Sequence, residues 1–186
     1  MRKLTVFNAI SLDGYFTDAK GDMSWAHKQD AEWQAFAAEN ASGGGALVFG
    51  RITYEMMAAF WPTPAAFEAN AVVAERMNNL PKIVFSTTLE KSSWNNTTLV
   101  KGDIAAEMLK LKNEAGPDMV IMGSGTIVAQ LTEARLIDGY QVVLNPIVLG
   151  TGRTMFDGVH ERQGLRLTQT RPFSNGNVVL SYEPTD

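Results

Sequence analysis

No cysteine occurs anywhere in this sequence, which excludes a disulfide framework, a thiolate metal site and a thiol nucleophile. Histidine is nearly as scarce. The two present, His27 and His160, stand far apart and offer no metal-ligand spacing, so no metal centre is expected. Long apolar runs are missing too, and none approaches the roughly 18 residues of a membrane span. The apolar start at Leu4 is interrupted by Thr5, Asn8 and Ser11, closed by Asp13, and followed by no small-residue cleavage site. A cytoplasmic location without membrane association is therefore expected. Basic charge is not in excess: 16 Lys and Arg against 20 Asp and Glu give a net charge of −4. That balance argues against nucleic acid as a partner and says nothing about a small anionic ligand. Neither a G-x-S-x-G elbow nor a Walker A loop is present.

What is present is an ordinary globular composition, 45% apolar over 186 residues, which fits one domain spanning 1–186. A chain of this size buries roughly 70% of its unfolded surface and needs no metal or disulfide staple. Short apolar runs alternate with helical patterns. Leu4–Ile10, Ala46–Phe49, Ile83–Phe85, Thr97–Val100, Met119–Met122 and Val142–Leu144 read as strands. Helices are expected over Ala31–Asn40, over Ile52–Phe60, over Ala65–Asn79, after Asp103 as N-cap, and from Gly125 to about Arg135. Leu165–Thr170 and Val178–Tyr182 flank Asn175-Gly176, a good hairpin turn. Continuous apolar strands alternating with helices predict an α/β fold with a mostly parallel sheet, covered on both faces, and an antiparallel C-terminal hairpin.

In such a sheet, ligands bind where strands lead into helix N-termini. Two turns have that form. Phe49-Gly50-Arg51-Ile52-Thr53 offers backbone N–H groups, a guanidinium and a hydroxyl to a phosphate. In Met122-Gly123-Ser124-Gly125-Thr126, two glycines let the backbone approach a pyrophosphate closely. Each alone is also compatible with an ordinary tight turn. The Met56-Met57 pair and Met119 with Met122 read as core.

The order of these segments carries more than either turn. Ala9-Ile10-Ser11-Leu12-Asp13-Gly14, then Ser24-Trp25 with Asp30 and Trp33, then Gly50-Arg51-Ile52-Thr53, then Gly123-Ser124-Gly125-Thr126, resembles the dihydrofolate reductase-like fold. Leu136-Ile137-Asp138 and Asn145-Pro146-Ile147-Val148-Leu149-Gly150-Thr151-Gly152, running on to Phe156, resemble the branch that holds the reductase domain of riboflavin biosynthesis. The resemblance spans Leu4 to Tyr182. It implies an NADPH-dependent reductase of a small pteridine- or pyrimidine-like heterocycle, and a homodimer built partly from C-terminal strands.

Carried over residue by residue, it places the Ala9 backbone at the nicotinamide carboxamide. Gly50, Arg51, Thr53, Gly123, Ser124, Gly125 and Thr126 fall on phosphates, and Ser86 and Thr87 on the adenosine 2′-phosphate, with Lys101 assisting. Turn chemistry for Ser86-Thr87 and a solvated charge for Lys101 are the plainer readings. Trp25 packs on the nicotinamide or shields the core, and His27 lines the substrate cleft or the surface. Asp30 has two competing roles. The spacing of Trp25, Asp30 and Trp33 resembles that of the acidic ring anchor of dihydrofolate reductases, where desolvation would raise its pKa for proton delivery. Asp30 is equally a good N-cap for the helix that follows.

Two departures turn away from ribosylaminouracil phosphate as substrate. Thr53 is followed by Tyr54-Glu55-Met56-Met57 rather than an acidic-proline stretch, and Ala35–Asn40 carries Glu39 where a basic residue is expected. With no cysteine, the zinc deaminase motif of the bifunctional riboflavin enzymes is excluded, and a stand-alone reductase is expected. A non-catalytic nucleotide- or flavin-binding module on the same fold remains the alternative, and a purely structural dimer subunit a third.

Overall fold

The computed structural model describes residues 1–185. The chain runs β1 (Leu4–Ser11), β2 (Tyr15–Thr17), α1 (Ala31–Ser42), β3 (Ala46–Gly50), α2 (Arg51–Phe60), α3 (Pro64–Asn79), β4 (Lys82–Phe85) and β5 (Thr97–Val100). It continues with α4 (Ile104–Asn113), β6 (Met119–Met122), α5 (Gly125–Glu133), β7 (Gly139–Asn145), β8 (Arg153–Thr154), β9 (Leu165–Pro172) and β10 (Val178–Pro184). Eight strands form one sheet in the order β5-β4-β3-β6-β1-β7-β10-β9. The first six are parallel, and β10 pairs antiparallel with both β7 and β9. The mostly parallel sheet with a C-terminal hairpin is as expected from the apolar pattern.

Central strands read as unbroken apolar runs because both of their faces are covered. On one face Leu4, Val6, Val48, Ile83 and Ile121 pack with Met108, Val128 and Leu131 from α4 and α5. On the other, Leu47, Phe49 and Val84 meet Tyr54, Met77 and Trp94, while Phe36 of α1 packs against Val143, Phe173 and Val179. Full burial of one such Val, Ile or Phe side chain contributes roughly 1.5–3 kcal/mol.

The structure departs from the sequence reading in two places. The helix expected over Ala65–Asn79 is broken at Asn70, which has φ −162° and ψ 98°. Its Oδ1 accepts the Val73 N–H at 3.2 Å, capping the second half, while its Nδ2 donates to Gln34 Oε1 at 2.7 Å. A two-stranded ribbon of β2 and β8 also forms, pairing Tyr15 with Thr154 and Thr17 with Arg153. Strands this short carry no periodic signal. They exist because the 145–156 segment folds back over β2. Asp13 fastens that fold: it accepts from the Ser11 hydroxyl at 2.6 Å and from the N–H groups of Leu149 and Gly150 at 3.1 and 2.7 Å. The Ser11 hydroxyl first, then those N–H groups, hold its carboxyl down at about 2. Among the described residues, no helix is long and apolar enough to cross a membrane.

Candidate functional site

The connection out of β3 leads through α2 and α3 to β4 on one side, whereas β6 leads through α5 to β7 on the other. Adjacent strands whose connections part in opposite directions leave a crevice at their carboxyl ends, the usual ligand position in an α/β sheet. A cleft of about 400 Å³ opens there, within the size range of small-molecule sites. Gly50, Arg51 and Thr53 line it from the junction of β3 and α2, Gly123, Ser124, Gly125 and Thr126 from the turn between β6 and α5, and Ser86 and Thr87 from just past β4.

The two turns are built on each other. The Ser124 hydroxyl accepts the Gly50 N–H at 2.7 Å, and the Ser124 N–H donates to Thr53 Oγ1 at 3.2 Å. Gly123 has φ +65°, and a Cβ on it would lie 2.8 Å from Thr53 Cγ2. That position therefore admits glycine alone without displacing α2. Neither α2 nor α5 carries a side-chain N-cap. In α5 the Ile127 N–H bonds back to the Ser124 carbonyl at 2.9 Å. The N–H groups ahead of it, with the positive ends of both helix dipoles, are turned to whatever occupies the cleft.

Asn8, which the sequence reading passed over, holds the second turn in place. It is buried on β1, its Oδ1 accepts the Gly123 N–H at 2.8 Å, and its Nδ2 donates to the Gly123 carbonyl at 3.3 Å. Beyond Phe7 no β6 residue pairs with β1, so the edge from Asn8 to Ser11 is free of ladder partners on the cleft side. A polar residue inside an apolar strand was the available signal for Asn8.

The other expected residues lie off the cleft wall. Lys101 is exposed, although Val100 and Gly102 beside it do line the cleft. Ala9 packs into the cluster under α1. Trp25 is half-buried in the single 3₁₀ turn Ser24–Ala26 and donates Nε1–H to the Asp22 carbonyl at 3.1 Å. His27 is exposed just after that turn.

Asp30 is the N-cap of α1. Its Oδ1 accepts the Trp33 N–H at 2.9 Å and its Oδ2 accepts Nδ2–H of Asn175 at 2.8 Å. Those contacts, the Asn175 amide foremost, push its pKa below the ordinary carboxylate value. The expected upward shift by desolvation is thereby corrected: hydrogen bonds to the ionised form outweigh burial at this half-exposed helix start. Met56, read as core, is exposed and lines the cleft, as do Phe16, Met23 and Arg153. The spacing of Phe16, Met23 and Arg153 in the sequence carried no sign of it, because they arrive from the β2–β8 ribbon and the loop after β2. Among the described residues, no group of three His, Asp or Glu side chains could hold a metal ion.

Known proteins place this fold. The uncharacterised protein YyaP of Bacillus subtilis is 24% identical over 182 residues, covering 97% of this chain and 94% of that protein. A putative riboflavin biosynthesis protein from Shewanella sp. PV-4 superposes with a TM-score of 0.71 at 23% identity, over 100% of both chains. The dihydrofolate reductase of Enterococcus faecalis, solved with NADP(H), gives a TM-score of 0.67 at 16% identity, over 99% of this chain and 97% of that one. The fold is thus dihydrofolate reductase-like. The RibD C-terminal domain family matches residues 2–179, and with nearly the whole chain covered, this protein belongs to that family.

Proposed function

We propose that this chain is an NADPH-dependent reductase that transfers hydride to a C=N or C=O bond of a small pteridine- or pyrimidine-like heterocycle. The observation that carries the reading is the meeting of two uncapped helix starts, α2 and α5, in one cleft at the divergence of β3 and β6. The residues fit a dinucleotide. Gly123 leaves the space that a Cβ would fill, and open N–H groups at both helix starts suit a pyrophosphate. Ser86 accepts the N–H groups of Thr88 and Leu89 at 3.2 and 2.9 Å and has only a long 3.5 Å contact to the Thr88 hydroxyl, so its O–H can turn to a 2′-phosphate beside Thr87.

When bound, NADPH supplies the hydride. The chain supplies position. Gly50, Arg51, Thr53 and Gly123 to Thr126 hold the phosphates, and the free edge of β1 at Ala9 orients the carboxamide. Asp30 is ionised, so its part is to accept from a ring N–H or amino group and favour the protonated ring, not to deliver its own proton. Titration of the purified protein with NADPH and NADH tests this reading, and absence of binding to both overturns it.

A second reading, a non-catalytic module holding a nucleotide or flavin, draws on the engagement of both Asp30 oxygens within the protein. Stopped-flow oxidation of bound NADPH across a panel of heterocycles separates the two. Assembly as a homodimer through the C-terminal strands is part of the proposal. β9 is an eight-residue edge strand whose residues are almost all exposed, Leu165 and Leu167 among them. An edge of that kind needs cover, and sedimentation analysis checks the mass.

A further inference from the structure

Two charged residues line the cleft, Arg51 and Arg153. Arg51 is already paired: its Nη1 lies 2.9 Å from Glu55 Oε2, one turn further along α2. Arg153 has no carboxylate partner among the described residues. Its place is fixed by the pairing of β8 with β2, and its guanidinium lies 5.9 Å from the centroid of the Phe16 ring.

Phe16 in turn marks where along the cleft this charge stands. Its ring is bedded on the first residue of α5, since a Cβ on Gly125 would lie 2.7 Å from the ring edge. The carbonyl of Thr154 is 3.5 Å from the same point. Arg153 therefore enters the cleft over the start of α5, the helix that follows β6. Ser86 and Thr87 follow β4, which lies two strands away across β3, about 10 Å at the usual strand spacing.

We propose that Arg153 binds the pyrophosphate of the dinucleotide, facing the open N–H groups of α5 across the cleft. The inference rests on the reductase reading above and adds a ligand-binding residue contributed by the ribbon. Its chemistry follows from the parts. A planar guanidinium presents parallel N–H donors that match phosphate oxygens, and the Phe16 face beneath it limits its freedom before the ligand arrives. The helix start alone offers partial charges. Arg51 shares its charge with Glu55 in an exposed pair, and Arg153 adds a second full positive charge with no carboxylate beside it.

The test uses the full chain, as wild type, Arg153→Gln and Arg153→Lys, titrated with NADPH and with NADH at low and high salt, with a thermal melt of each. Loss of a charge-assisted contact to phosphate predicts a Kd raised about tenfold in Arg153→Gln. Both dinucleotides share the pyrophosphate, so the factor is the same for NADPH and NADH. The dependence of log Kd on log salt becomes shallower in Arg153→Gln, and Arg153→Lys recovers part of the affinity and the slope. Unchanged Kd values for both ligands overturn the proposal and leave the cofactor reading standing. A loss confined to NADPH overturns it by placing Arg153 at the 2′-phosphate. A lowered melting temperature with an unchanged salt slope reduces Arg153 to a staple on Phe16 and also overturns it. If the wild type binds neither dinucleotide, the cofactor reading fails and the inference fails with it.

Discussion

Helices α1 and α4 begin differently from α2 and α5. The first pair each open on an aspartate whose carboxylate closes the first turn: Asp30 accepts the Trp33 N–H at 2.9 Å and Asp103 accepts the Ala106 N–H at 2.8 Å. The second pair open on Gly50 and Ser124 with no side-chain cap. Ser124 is a residue type that normally caps. Here its hydroxyl is turned to the Gly50 N–H instead, joining the two open turns to each other. The lesson lies in where the caps are missing. α3 also opens without a side-chain cap, on Thr63 with Pro64 as its first residue, and lines no part of the cleft. At the two helix starts that share the cleft, a self-supplied carboxylate would compete with an anionic ligand.

The contrast can be broken most severely at Gly123. In Gly123→Ala, a Cβ in left-handed backbone pressed against Thr53 costs roughly 1–3 kcal/mol. Relief of that strain shifts the turn and its N–H groups away from the ligand, and we expect NADPH affinity to fall by about 50-fold. Equilibrium titration checks it, and unchanged affinity would show that the cleft does not take the pyrophosphate there.

Ser124→Ala sharpens the same point more gently. The Gly50 N–H loses its acceptor in a part-buried setting, a loss of about 1–3 kcal/mol to stability. NADPH affinity should weaken about fivefold as the two turns loosen. Asp103→Ala is the counterpart from the capped pair: a loss of about 1 kcal/mol in denaturant unfolding and no change in NADPH affinity. If the two variants behaved alike toward NADPH, the distinction between open and closed helix starts would lose its functional meaning.

The smallest expected effect is a pH dependence at Asp30. Its folded-state pKa lies below 3.8, so its contribution to stability is present above that value and lost as pH falls through the folded value. The stability advantage of wild type over Asp30→Asn should hold from neutral pH to about pH 4 and shrink below it. Urea midpoints at pH 3 to 7 measure this. An advantage that instead changed between pH 6 and 7 would restore a raised pKa and with it proton delivery by Asp30.

Much of the fold was legible before the structure. Ala46–Phe49 and Met119–Met122 are wholly apolar, which fits strands buried on both faces, and Asp103 stands where a cap must be. The candidate cleft was legible where a strand runs straight into a helix through glycine, at Gly50 and at Gly123. It was not legible at Arg153 and Met56. Arg153 reaches the cleft from a two-residue strand, and Met56 faces outward from a helix whose opposite side, at Tyr54 and Met57, packs into the core. Asn70 was missed for a related reason. Helical periodicity runs through it, and the break depends on its amide finding Gln34 in another helix.

The sequence by itself determined the strands of the main sheet, the glycine turns between strand and helix, and the family signature that orders them. These are short-range properties, set by side-chain periodicity and by backbone freedom at glycine. Tertiary structure decided which turns meet. Gly50 and Ser124 stand 74 positions apart and are joined because β3 and β6 become neighbours when their apolar faces are buried. It also decided how far the pKa of Asp30 moves and in which direction. The largest cause of its lowering is the Asn175 amide, brought from the C-terminal hairpin to the start of α1, ahead of the local Trp33 N–H. Hydrogen bonding to a carboxylate acts over a few ångströms of space, whatever the separation along the chain.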